Sequence, residues 1–250
     1  MTAVQVMGIE GIPEVQEGDD LSQHILSSLN QQGLALEVGD ILVVTQKVVS
    51  KAEGRVVNLD DISASQIAIQ LSEGSHRDPR HTEVILRESR RIVRMDRGNI
   101  ISETRHGFIC ANAGVDASNL PETGTVAMLP VDPDVSARNI RQGILARTGV
   151  GVAVIISDTF GRPWREGAVN VAIGVSGMDS VVDYREKEDA YGQMMRTTVI
   201  AISDEIASAA ELVTGKTDGV PVALIRGYEY TEGDDGARKL VRSPERDMFR

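Results

Sequence analysis

Short apolar runs alternate with stretches of helical periodicity along the whole chain. The runs at 41–44, 126–129, 152–156, 169–175 and 220–225 are rich in Val, Ile, Leu and Ala and read as buried strands. Between them lie amphipathic patterns. Asp20 precedes Leu21, Ile25, Leu26 and Leu29, one apolar stripe that stops at Gly33. Asp is a good N-cap because its carboxylate accepts from free amides of the first turn, and Gly suits the left-handed end of a helix. A second pattern, 132–148, opens with Asp132-Pro133 and closes at Gly149. A third, 189–213, keeps Tyr191, Met195, Thr198, Ile202, Ala209 and Val213 near one face and predicts one long helix. Strands mixed with helices place the chain in the α/β or mixed α+β class. The spacing is too irregular for a regular doubly wound sheet. No linker, repeat or low-complexity tract interrupts the sequence, so one unit over 1–250 is expected.

Residues 73–98 stand apart, because His76, Arg77, Arg80, His81, Arg87, Arg90, Arg91, Arg94 and Arg97 concentrate positive charge there. They read either as a solvated helix face paired with Glu83 and Glu88 or as a landing area for an anionic substrate. The chain as a whole is acidic: 26 Lys+Arg against 37 Asp+Glu give a net charge of −11. That balance argues against broad phosphate-backbone binding, and aromatics at 3% argue against a stacking platform for single strands. No nucleic-acid partner is expected. Cys110 is the only cysteine, which excludes an intramolecular disulfide and a cysteine-rich zinc site. Glu10, Glu14, Glu17, Asp19 and Asp20 crowd the first twenty residues, unlike a secretory leader. The longest apolar stretch, 150–156, falls far short of the ~20 residues of a spanning helix. A cytoplasmic protein without membrane contact is the expectation.

Familiar catalytic signatures are missing: there is no HExxH or GxSxG, and the four histidines are scattered. Gly215-Lys216-Thr217 resembles the end of a phosphate-binding loop. That motif would need glycine in place of Ala210 and would open a helix, whereas here it closes one. Gly215 and Lys216 remain candidate phosphate contacts from a helix terminus.

Three runs carry candidate chemistry. In Ile155-Ile156-Ser157-Asp158-Thr159-Phe160-Gly161-Arg162-Pro163-Trp164-Arg165 an apolar strand ends in an acid and a hydroxyl, followed by a Gly/Pro turn with two arginines. Ligands gather where strands leave a sheet, and hard cations want carboxylate oxygens, so Asp158 reads as a metal ligand or, alternatively, as an Asx turn. Cys110-Ala111-Asn112-Ala113-Gly114-Val115-Asp116-Ala117-Ser118-Asn119 combines small residues, which admit a ligand to the backbone, with an acid and an amide. A ligand-free turn is its other reading, and Cys110 reads as a small buried hydrophobe rather than a nucleophile. In 43–55, Lys47, Lys51 and Arg55 recur at spacing four, either toward phosphates or into water.

Together these runs resemble the coenzyme F420 gamma-glutamyl ligase family. The likeness is carried by Gly11-Ile12-Pro13-Glu14-Val15, by Val48-Val49-Ser50-Lys51-Ala52-Glu53-Gly54-Arg55, and by the Cys110 to Asn119 run. It continues through Leu129-Pro130, Asp132-Pro133-Asp134, Ser136-Ala137-Arg138, the Ser157 to Trp164 run and Asn170-Val171-Ala172-Ile173-Gly174. It ends with Gly215-Lys216, Arg226-Gly227 and Pro244-Glu245-Arg246-Asp247-Met248-Phe249, covering nearly the whole chain in order. The resemblance implies an unusual α/β fold with mixed and antiparallel sheets, a homodimer, and the stand-alone form without a fused flavin-type domain. It implies a GTP-dependent ligase that adds L-glutamate to the deazaflavin precursor F420-0, and in a further round F420-1. Two divalent ions, Mg²⁺ or Mn²⁺, and K⁺ belong to that expectation. By the same resemblance Asp116 and Asp158 are ligands of a first metal and Thr159 a contact of a second. Ile12, Pro13, Glu14, Val15, Lys51 and Asn119 are nucleotide contacts. Gln46 stands where the family often has a serine touching the nucleotide. Arg162 and Arg165 are further candidates for phosphate or substrate. A metal-dependent nucleotide phosphohydrolase, using the same two aspartates, and a non-catalytic nucleotide-binding protein are the competing readings.

Overall fold

The structure is a computed structural model that describes residues 3–75, 77–96 and 98–248. His76 and Arg97 of the basic segment, and Phe249 of the C-terminal motif, lie outside the described residues. In chain order the elements are β1 (Gln5–Ile9), α1 (Leu21–Gln31), β2 (Ile41–Thr45), α2 (Gln46–Ala52), β3 (Val56–Asn58), α3 (Gln66–Ser72), α4 (Pro79–Glu88), β4 (Ser89–Asp96) and β5 (Asn99–Thr104). They continue with β6 (Ile109–Ala111), β7 (Thr125–Ala127), α5 (Pro133–Thr148), β8 (Ala153–Arg162), β9 (Arg165–Ser176), β10 (Val182–Asp183), β11 (Val199–Ile200), α6 (Ile202–Thr214) and β12 (Val222–Arg226).

A mixed five-stranded sheet in the order β1-β12-β2-β8-β9 forms the centre. Only β2 and β8 run parallel; the other neighbours are antiparallel. Ile41 to Val44 and Val154 to Ile156 are at most 1% exposed, as a continuous apolar run must be when both faces of its strand are covered. Helix α5 packs on β8, β9 and α1, while α6 packs on β1, β12 and β9. The helix ends follow their sequence signals. Asp20 accepts from the Gln23 amide and Asp132 from the Val135 amide, and Gly149 closes α5 in the left-handed region. A second apolar cluster holds Leu59, Val84, Ile85, Ile100, Ala113, Val115, Val126 and Met128. It is built from the β3–β7 pair, the β4-β5-β6 sheet and the nearby helices, so residues 56–128 form a second layer beside the main sheet.

Three expectations are corrected. The long helix over 189–213 exists only as α6, from Ile202 onward. Residues upstream fold as an exposed antiparallel excursion in which the Tyr184 amide donates to the Thr198 carbonyl and the Met195 amide to the Lys187 carbonyl. Gly192, at φ 77°, turns that excursion, and the β-branched run Thr197-Thr198-Val199 favours extended backbone over helix. The basic segment is half helix and half strand: α4 gives way to β4 at Ser89, where Ile92-Val93 break the helical period. Its charges are largely paired, Arg80 with Asp60 and Asp78, Arg87 with Glu83, and Arg90 and Arg91 with the buried Glu103. Third, β8 does not end before Asp158. It runs to Arg162 and returns through Pro163-Trp164 as β9, with Trp164 at φ 62°.

One contact tests the packing directly. A Cβ added at Gly174 on β9 would lie 2.2 Å from the Pro133 carbonyl oxygen at the start of α5, whereas one added at Gly161 would meet nothing within 4 Å. Overpacking of this kind costs about 1–3 kcal/mol, and about 1 kcal/mol moves the melting midpoint of a chain this size by ~2–4 °C. Gly174→Ala therefore lowers the midpoint by several degrees in a calorimetric scan, and Gly161→Ala leaves it in place.

Candidate active site

The parallel pair β2–β8 pairs as far as Thr45 opposite Ser157. There β2 turns into α2, while β8 continues as a two-stranded ribbon with β9. The chain divides at this point, and a cavity of about 780 Å³ opens between the main sheet and the second layer. Asp158 is the first residue beyond the division. It is thus placed at the strand divergence the sequence suggested, although its own strand continues.

The opposite wall comes from the run after β6. Asn112, Ala113 and Gly114 take φ of 54°, 54° and 73°, three left-handed residues in succession. Such backbone costs about 1–2 kcal/mol at each residue with a Cβ. At Gly114 a Cβ would lie 2.7 Å from the Leu129 side chain, so only glycine fits. The turn buries Ala113 and Val115 in the second cluster and leaves Asp116 at the cavity, fixed by reciprocal backbone bonds with Ala127.

Lys47, at the start of α2, bridges the two walls. Its ammonium lies 2.5 Å from Asp116 Oδ2 and donates to both the carbonyl and the hydroxyl of Ser118. Lys51, one turn on, donates to Glu14 Oε1 at 2.6 Å across the mouth. At the far end Lys216 Nζ donates to Thr159 Oγ1 at 2.5 Å, and the Asn119 amide donates to the Lys216 carbonyl. Ile12, Pro13, Glu14, Val15, Gln46, Lys51, Asp116, Asn119, Asp158, Thr159, Gly215 and Lys216 therefore all line one cavity. Arg162 and Arg165 do not; the Arg162 guanidinium is taken up by the carbonyls of Glu166 and Gly167 in its own hairpin. Arg55, grouped with the lysines by spacing, pairs instead with Glu88.

The electrostatics are those of two carboxylates in one recess. Burial, with the Asp116 charge adding to it, pushes the Asp158 carboxyl up from its ordinary 3.8 to about 6. Burial would raise Asp116 too, but the Lys47 ammonium and the amide and hydroxyl of Ser118 hold it below its usual value. Burial and the Asp158 charge push the Cys110 thiol up to about 12, so it is no nucleophile at neutral pH. Among the described residues no group of three His, Cys, Asp or Glu could by itself hold a metal. The donors are nonetheless hard oxygens: two carboxylates, the Thr159 hydroxyl, and the buried Ser157 Oγ and Asn112 Oδ1, which have no hydrogen-bond partner. That set fits a divalent cation completed by phosphate oxygens or water. Lys47 belongs with these residues. By spacing it belongs to a charge stripe with Lys51 and Arg55, but it stands two residues past Thr45, the last β2 residue paired with β8, and so beside Asp158.

Fold and cavity define a mixed-sheet protein with paired carboxylates under a lysine-rimmed mouth. Residues 10–227 match the family model described as F420-0:Gamma-glutamyl ligase. The chain is 46% identical over 250 residues to the coenzyme F420:L-glutamate ligase of Methanothermobacter thermautotrophicus, covering 99% of both chains. It is 47% identical over 258 residues to the protein of that name from Methanopyrus kandleri, covering all of both chains. With the Methanocaldococcus jannaschii protein of that name the identity is 44% over 248 residues, 99% of this chain and 97% of the relative. The chain belongs to the F420-0:Gamma-glutamyl ligase family. Among the described residues no helix is long and apolar enough to cross a membrane.

The raised Asp158 carboxyl has a consequence for the metal-free protein. Its value near 6 exceeds the unfolded 3.8, so the folded state holds the proton more tightly. The cost of its charge is absent below about pH 4 and fully present above about pH 6. Asp158→Asn, measured with chelator present, raises the melting midpoint at pH 7.5 by a few degrees, and the gain vanishes near pH 4.

Proposed function

We propose that this chain is a GTP-dependent ligase that joins L-glutamate to the deazaflavin precursor of coenzyme F420, acting as a homodimer. The names of its relatives and the meeting of Asp116 and Asp158 in one lysine-rimmed cavity support the reading; that meeting carries it. A carboxylate is a poor acyl donor because oxide is a poor leaving group. In the proposed reaction the γ-phosphoryl group of GTP passes to a carboxylate oxygen of the precursor, giving an acyl phosphate and GDP. The α-amine of glutamate then attacks the acyl carbon, the carbon–oxygen bond to phosphate breaks, and the amine loses a proton as the amide forms.

Phosphoryl transfer needs alignment and charge neutralisation more than covalent help. Asp116 and Asp158 would hold one divalent ion, Mg²⁺ or Mn²⁺, and Thr159 would contact a second. When bound, such ions neutralise phosphate oxygens and align the two oxygens of the transfer; K⁺ is assigned only the role of activator. Ile12 to Val15, Gln46, Lys51, Asn119 and Gly215-Lys216 would border the nucleotide. Lys47, Lys51 and Lys216 supply fixed positive charge where a triphosphate would lie, in a protein whose overall −11 repels it. Screening confines that repulsion to about 8 Å at physiological salt, so local cations decide capture. Arg162 and Arg165, outside the cavity lining, have no part in this assignment.

Incubation with the precursor, GTP, Mn²⁺ and L-glutamate should give a product heavier by one or more glutamyl units in mass spectrometry. Release of GDP should require precursor and glutamate; equal release with water alone would identify a phosphohydrolase. Asp158→Asn should lower turnover at least about 100-fold while the protein stays folded. Lys51→Ala should weaken GTP binding in calorimetry by about tenfold, in keeping with the loss of one charge-assisted contact.

A further inference from the structure

Thr159 faces Asn170 across the β8–β9 ribbon, and the two are register partners. Asn170 is 3% exposed, and its amide is not free to choose its orientation. Its Nδ2 donates to Glu211 Oε2 of α6 at 2.7 Å, and an ionised carboxylate only accepts. The Asn170 Oδ1 must therefore face Thr159, whose hydroxyl donates to it at 2.7 Å. A hydroxyl has one proton, and that proton is now committed. What Thr159 Oγ1 still offers is lone pairs. The partner they have here is a cation, the Lys216 ammonium at 2.5 Å, itself 3.4 Å from Glu211. The frame behind this arrangement is fixed independently, since Ser208 Oγ donates to the Asn170 carbonyl and Asp204 accepts from the Ala172 amide.

We infer that Asn170 and Glu211 are positioning residues that make Thr159 an obligate acceptor, so that its side of the cavity is a cation seat which Lys216 holds until a divalent ion takes it. The inference rests on the ligase reading only in placing a second ion at Thr159. Asn170 lines the cavity beside Thr159, and Glu211 holds it from behind. Both act through the direction of one hydroxyl proton. Without Asn170 that proton is free to turn toward the cavity, where it opposes a cation.

The test is a double-substitution cycle read by Mn²⁺ binding. The free-ion paramagnetic resonance signal is followed with GDP present and no acceptor, so that no turnover contributes. Loss of a residue that orients a metal ligand typically weakens the metal about 10–100-fold. Asn170→Ala is expected to weaken the Thr159-side ion by that factor in the otherwise unchanged protein. In a Thr159→Val background, where there is no hydroxyl to orient, it should add nothing. Glu211→Ala, at a half-exposed helix position, should show the same dependence on Thr159 and serves if Asn170→Ala fails to fold. The swap Asn170→Asp with Glu211→Gln keeps an acceptor facing Thr159 and a donor behind it, and should retain the binding that Asn170→Ala loses. Equal losses with and without the Thr159 hydroxyl, or unchanged binding in Asn170→Ala and Glu211→Ala, would overturn the inference and leave the ligase reading standing. Absence of any Mn²⁺ binding by the unsubstituted protein would overturn both.

Discussion

Two carboxylates share one recess, and the structure must hold them there against their repulsion. Asp158 sits where β8 parts from β2, and Asp116 follows a left-handed turn of the second layer. Lys47 joins them, with its ammonium against Asp116 and its backbone at the start of the helix that follows β2. The same ammonium that relieves the charge also ties the second layer to the main sheet. Burial above all, with the Asp116 charge adding to it, keeps the Asp158 carboxyl raised in spite of Lys47.

This placement explains the unfavourable local geometry nearby. Consecutive left-handed residues at Asn112 and Ala113 and the crowded Gly114 against Leu129 are tolerable because Ala113 and Val115 are anchored in an apolar cluster. Backbone strain is kept where surrounding packing over-determines it, and sites are where such strain is useful. Buried oxygens without partners, on Ser157 and Asn112, follow the same logic: a folded chain rarely leaves them so unless something else is meant to use them.

Much of the scaffold was legible from local chemistry. Asp20, Asp132 and Gly149 mark helix ends through interactions that span only a few residues, and unbroken apolar runs identify β2 and β8. The helix over 189–213 misled because a spacing near 3.6 fits several residues by accident, while Gly192 and the β-branched run before Ile202 decide for extended backbone. Asp158 was marked by a change from apolar to polar that reads as a strand end, although it signals the loss of a neighbouring strand instead. Asp116 and Asp158 lie 42 positions apart in the chain, and their meeting came from the resemblance, not from spacing. Asn170 and Glu211 gave no local signal, since their roles exist only after α6 is laid along β9.

Diffraction from crystals grown with GDP and Mn²⁺, collected at a wavelength where manganese scatters anomalously, tests the shared recess most directly. An anomalous peak coordinated by oxygens of both aspartates is expected, with the Lys47 ammonium withdrawn from Asp116 toward phosphate. Manganese bound elsewhere, with nucleotide in the cavity and Lys47 still against Asp116, would contradict it.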